Sequence, residues 1–174
     1  MTYAEVEGRR QMIELVGFLK GKVSGFENAH LLMSGSQIGV RETRRIIGEY
    51  VMTGEDILEA RKFTDVIGRG SYPINIHSPT GEGTLIKRPP PGTSYDIPYR
   101  CLVPKNIDNL LVAGRCVSST HEAQAAIRVI PIVVAIGQAA GTAAALAARL
   151  NVPPRKLDVL LLQKTLREQG ANLG

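Results

Sequence analysis

Between Arg128 and Arg149 the chain runs for twenty residues without a charge, and any fold must find a place for that segment. Twenty residues is about the length that crosses a bilayer as a helix. Ala is the commonest residue in the run, however, and Pro131, Gly137, Gln138, Gly141 and Thr142 interrupt its hydrophobicity. Such a composition gains little from lipid, so the segment reads as a small-residue helix buried in protein, with no membrane partner. Pro131 marks a kink or a first helical position, and Asn151-Val152-Pro153-Pro154 closes the helix.

The rest of the composition fits a globular chain. With 44% apolar and 21% charged residues, 174 positions are enough for a real core, and disorder is excluded. Two cysteines are too few for a disulfide scaffold, and Cys101 and Cys116 read as reduced core thiols of a cytoplasmic protein. The N-terminus is polar at once, without the pattern of a signal peptide. The net charge of +5 is spread over Arg9-Arg10, Arg44-Arg45 and Lys87-Arg88 without interleaved aromatics, which argues against nucleic acid. His121-Glu122 lacks a second His four residues on, and there is no Cys-x-x-Cys, so no metal site is expected.

Local signals outline the elements. Thr2-x-x-Glu5 resembles a capping box ahead of Met12, Leu15, Val16 and Leu19, which predicts a helix over 3–20. Residues 45–52 read as a strand, and Thr53-x-x-Asp56 as a second capping box opening a short helix to about Lys62. Val66-Ile67 and 72–77 read as strands, Ile74 and Ile76 alternating with Asn75 and His77. The proline- and glycine-rich stretch 78–94 is a loop and the best internal boundary. Residues 95–103 form an edge strand containing Pro98, and a helix starts near Ser119 or Thr120. A last helix runs from Asp158 to Gln169, with Gly170 just past its end.

The densest signal is Asn109-Leu110-Leu111-Val112-Ala113-Gly114-Arg115, an apolar run ending at glycine. A fully buried parallel strand looks like this where it reaches a ligand. Downstream, Gly137 and Gly141 stand four apart and leave one helix face almost bare. That face suits close approach to a sheet or to a cofactor, and spacing alone does not choose between them.

Several segments together resemble the FAD-dependent oxidoreductase family, flavoproteins related in fold to the glutathione reductase and fumarate reductase groups. They are residues 97–104, residues 109–115, His121-Glu122-Ala123, Arg128-Val129-Ile130-Pro131 and Gly137-Gln138-Ala139-Ala140-Gly141-Thr142. Upstream, residues 37–45 and 68–77 resemble the family's substrate-side segment, so the likeness covers nearly the whole chain in order. It implies an α/β fold, with a partial Rossmann-like FAD-binding domain over 95–174. A mixed α+β substrate-side region would occupy 26–94, and residues 1–25 an interdomain or FAD-layer helix.

The family's G-x-G-x-x-G turn, which holds the FAD pyrophosphate between a strand and a helix, has no counterpart here. Gly68-Arg69-Gly70 and Gly81-Glu82-Gly83 open no helix and are decoys. The chain is therefore expected to be the C-terminal portion of a flavoenzyme, inactive alone and completed by an N-terminal half or by self-association.

By the same resemblance, Gly114 and Arg115 would meet the FAD diphosphate. Amides near Gly137, Gln138 and Ala139 would face the flavin edge that gains negative charge on reduction. Arg41, with Arg44 and Arg45, would clamp a substrate carboxylate, or would form a salt-bridged basic cluster beside Glu42 and Glu49. His77 would be a proton donor or an exposed strand-end histidine. His121 and Arg128 lie seven apart, on one helical face over a flavin, unless Arg128 instead pairs with Glu122. The complete protein would pass a hydride between a small molecule and FAD. The rival reading is a non-catalytic ligand-binding or self-associating module of flavoprotein descent.

Overall fold

The computed structural model describes residues 2–78 and 83–174. Gly81 and Glu82 of the second decoy lie outside the described residues. The chain forms two compact units, residues 1–40 and 41–174.

The first unit is built on helix α1 (Thr2–Lys22). Its charged face is laced by pairs one turn apart, Arg9 with Glu5 and Arg10 with both Glu7 and Glu14. Met12, Val16 and Leu19 are half-buried, while Ile13, Leu15 and Phe18 stand exposed. Thr2 is already helical, and Glu5 does not close the expected capping box. The Glu5 carboxylate instead accepts the Ile38 N–H at 2.9 Å, tying the tail of the unit to its helix.

The second unit holds the core. Helix α2 (Gly54–Leu58) opens with the anticipated box: Thr53 Oγ1 accepts from the Asp56 N–H, and Asp56 Oδ2 accepts from the Thr53 N–H. Two antiparallel ribbons follow. Strand β1 (Val66–Gly70) pairs with β4 (Tyr95–Pro98), and β2 (Ile74–His77) with β3 (Thr84–Lys87). Part of the presumed loop 78–94 is thus a strand, because Leu85 and Ile86 continue the ribbon that Ile74 and Ile76 begin. Helix α3 (His121–Ile127) packs on β2, capped by the Thr120 hydroxyl.

Helix α4 (Ile130–Leu150) takes Pro131 in its first turn and ends at Asn151 in the left-handed conformation. It is long and apolar enough to cross a membrane by length and composition. Here Ile132, Ile136, Ala139, Ala143 and Ala147 are buried, and the helix packs on β1 and on α5 (Val159–Glu168). Asp158 caps α5 and Gly170 follows it with φ of +84°, as the sequence suggested.

Four expectations are corrected. The buried parallel strand over 109–114 does not form: Asn109 and Leu110 are exposed, and Gly114–Cys116 is a 3₁₀ turn. A parallel strand needs parallel neighbours, and both ribbons among the described residues are antiparallel; the Val112 N–H goes to the Leu102 carbonyl. Residues 45–52 make only single bridges, Gly48 to Pro104 and Met52 to Ser119. The strand at 95–103 stops at Pro98, which lacks an amide to extend the ladder, and residues 99–102 turn as a 3₁₀ helix. Cys101 is buried, as expected, but Cys116 is exposed.

The decoy Gly68-Arg69-Gly70 has a structural explanation. A Cβ at Gly70 would sit 2.6 Å from the Tyr95 ring and 2.7 Å from Ile132. The glycine lets α4 and Tyr95 close over β1 and has no role in a dinucleotide turn.

Candidate functional site

Helix α3 begins where the Thr120 side chain satisfies the Ala123 amide, and this fixes the phase of everything after it. His121, Ala125 and Arg128 follow at i, i+4 and i+7, and all three line one cavity of about 210 Å³. Its opposite wall is β2, through Asn75, Ile76 and His77, and its rim is the segment carrying Arg41 and Glu42. Four residues singled out separately in the sequence, Arg41, His77, His121 and Arg128, therefore come together in one place.

Each is held differently. Arg128 caps the C-terminus of α3 and donates to the Asn75 carbonyl at 3.2 Å. Among the described residues it forms no ion pair with Glu122 or with any other carboxylate. Burial first, and then the positive charges of Arg41 and Arg115, lower its pKa below the usual guanidinium value. Arg41 is placed through its backbone, whose carbonyl accepts the Nε2 amide of Gln124, a fully buried residue, at 3.1 Å. His77 Nδ1 lies 3.2 Å from Thr84 Oγ1 across the ribbon. His121 Nδ1 lies 2.8 Å from Glu42 Oε2, and the other oxygen of Glu42 binds Arg45. For Arg45 the salt-bridged reading is the one observed, while Arg44 is exposed.

Glu42, Asn75 and Gln124 were not named as site residues. Asn75 shares a strand face with His77, two residues on, so the alternation already pointed to it. Glu42 and Gln124 act over long sequence separations, to His121 and Arg41, which no local pattern reveals.

The remaining candidates lie outside this cavity. Gly114 has φ of +87° and nothing within 4 Å of a notional Cβ, and Arg115 beside it is exposed. The turn that carries them packs against α4. Ala139 is buried in the core, and the Gln138 amide donates to the side chain of Gln169, the residue just past the end of α5. Gly137 and Gly141 face outward with open space above them. Gly137, Gln138, Ala139 and Gly141 lie in the middle turns of α4, whose amides are bonded along the helix; the free N–H groups of a helix are those of its first turn.

The sequence profile of the FAD dependent oxidoreductase family matches residues 1–166. The chain belongs to that family. No curated protein and no solved structure matches it. The expected membership of an FAD-dependent oxidoreductase family is thereby borne out, and the cofactor of the family is FAD.

The residues present fit that cofactor in part. A cavity of about 210 Å³ is too small for a dinucleotide, since pockets for even drug-sized ligands measure roughly 300–1,000 Å³. Gly114 and Arg115 offer what a diphosphate needs, an open backbone position next to a cation. The bare outward surface at Gly137 and Gly141 allows close approach by a flat ring, through exposed backbone and not through free amides.

Proposed function

We propose that this chain forms the substrate-facing, C-terminal portion of an FAD-dependent oxidoreductase that passes a hydride between a small molecule and the flavin. When bound, FAD supplies the hydride-accepting or hydride-donating ring. The observation that carries the reading is the convergence of Arg41, His77, His121 and Arg128 on one small cavity in a chain of this family. Two come from the stretch 26–94 and two from 95–174, as befits a substrate end at the seam between a substrate-side region and a partial Rossmann-like FAD-binding portion. Arg41 and Arg128 orient the substrate. His77 and His121 exchange a proton with it. Gly114 and Arg115 hold the diphosphate, and Gly137 with its neighbour Gln138 presents the exposed face of α4 to the ring system, while Ala139 anchors the opposite face in the core. The G-x-G-x-x-G turn is contributed by a segment outside these residues.

A titration of the chain with FAD, followed by flavin fluorescence, tests this. Wild-type protein is expected to quench the fluorescence saturably, and Arg115→Ala to weaken binding at least tenfold. An unchanged affinity in the variant removes Arg115 from the site, and no binding by the wild type overturns the assignment of a flavin surface to this chain.

A second reading has its own observation. Ile130 and Val134 are 79% and 64% exposed on α4, beside bare Gly137 and Gly141. An apolar helix face of this kind suits a self-associating module. Concentration-dependent sedimentation together with no affinity for flavin would favour it.

A further inference from the structure

The cavity between α3 and β2 carries more positive charge than its walls neutralise. Arg41 and Arg128 both line it, and neither has an ion-pair partner among the described residues. Glu42, the one carboxylate in the lining, is already shared between Arg45 and His121. Two guanidinium groups therefore stay uncompensated, and Arg115 adds its field to theirs. Arg128 is half-buried while Arg41 stands exposed at the rim, and burying part of the Arg128 charge beside a second cation is unfavourable unless an anion completes the site.

The lining also limits the anion. Ala125 and Ile76 give the cavity an apolar side, which a compact, fully hydrated ion would leave uncovered. A volume of about 210 Å³ admits roughly seven water-sized groups. We infer that this cavity binds a short-chain carboxylate, its charged end on Arg41 and Arg128 and its carbon chain against Ala125 and Ile76. Guanidinium forks match the planar geometry of a carboxylate, and two of them favour it over a lone ammonium site. The inference deepens the proposed function and rests on it only for calling the ligand a substrate; binding itself needs no flavin.

The test is an NMR-monitored titration of the full chain, without FAD, using acetate, butyrate, succinate and inorganic phosphate in turn. Butyrate or succinate is expected to give saturable shifts at residues of α3 and β2, tighter than acetate or phosphate. Arg41→Gln and Arg128→Gln should each weaken that binding at least tenfold, while Arg88→Gln, at an exposed position away from the cavity, should leave it unchanged. Should Arg128→Gln misfold for want of its bond to Asn75, Arg41→Gln decides alone, since no ion pair of its side chain is lost. No saturable shift with any carboxylate, equal affinity in the Arg41→Gln variant, or tighter binding of phosphate would each overturn the inference. A chain that binds carboxylates but no FAD keeps this site and loses the redox reading; one that binds FAD but no carboxylate does the reverse.

Discussion

His121 Nδ1 and Glu42 Oε2 stand 2.8 Å apart, pairing residues seventy-nine positions apart at the edge of the cavity. A carboxylate can only accept, so this contact favours the tautomer of the neutral imidazole that carries its proton on Nδ1 and leaves the lone pair on Nε2. A histidine fixed in this way is oriented before any ligand arrives. Arg45, on the other oxygen of Glu42, keeps the carboxylate itself from turning.

Removing that carboxylate should release the ring. In Glu42→Ala, nitrogen-15 shifts of the His121 side chain are expected to move from the Nδ1–H tautomer toward a mixture. Glu42→Gln, which still offers a carbonyl oxygen, should retain most of the preference. Identical shifts in the wild type and in Glu42→Ala would show that the contact does not set the tautomer.

The two glycines of the strand decoy should behave differently. A Cβ at Gly70 meets Tyr95 and Ile132 at under 3 Å, whereas one at Gly68 meets only Ala135 at 3.6 Å. Gly70→Ala is expected to cost about 1–3 kcal/mol through overpacking, read by urea unfolding. Gly68→Ala should cost much less. Equal losses would mean that neither glycine is there to admit the Tyr95 ring.

These contrasts also show what the sequence could convey. The Thr53-x-x-Asp56 box, Pro131 in the first turn of α4 and the Asp158-to-Gly170 helix are local events, decided within a few residues, and all were legible. The spacing of His121 and Arg128 was legible for the same reason. The apolar run at 109–114 was misleading because strand formation depends on neighbours elsewhere in the chain, and the run itself says nothing about them. The same limit hid Gln124, whose amide reaches back eighty-three positions to the Arg41 carbonyl.

The two thiols should separate cleanly under alkylation. Burial pushes the Cys101 thiol up to about 12, so its nucleophilic thiolate is scarce at neutral pH, and the side chain is also out of reach of reagent. Cys116 is exposed. Iodoacetamide on the native chain should modify Cys116 alone, with Cys101 reacting only after denaturation. Rapid labelling of both, mapped by mass spectrometry, would contradict a closed core around Cys101.

The first unit carries an acid-sensitive tie. The Ile38 amide, followed by the Arg9 guanidinium, lowers the pKa of the Glu5 carboxyl below its ordinary value of 4.5. A carboxylate whose folded pKa is depressed contributes stability above the unfolded pKa and loses it as the pH falls through the folded value. The bond from Ile38 should therefore persist at neutral pH and weaken below about pH 4.5, where protons begin to compete for the carboxylate. Glu5 lies at the surface, so the effect on overall stability is small and is better read locally. Amide exchange at Ile38 is expected to accelerate on acidification beyond the intrinsic pH dependence of exchange, and in Glu5→Gln the protection factor should lose that pH dependence. A protection factor at Ile38 that stays constant from neutral pH down to pH 3 in the wild type would show that Glu5 does not hold the tail of the unit to α1.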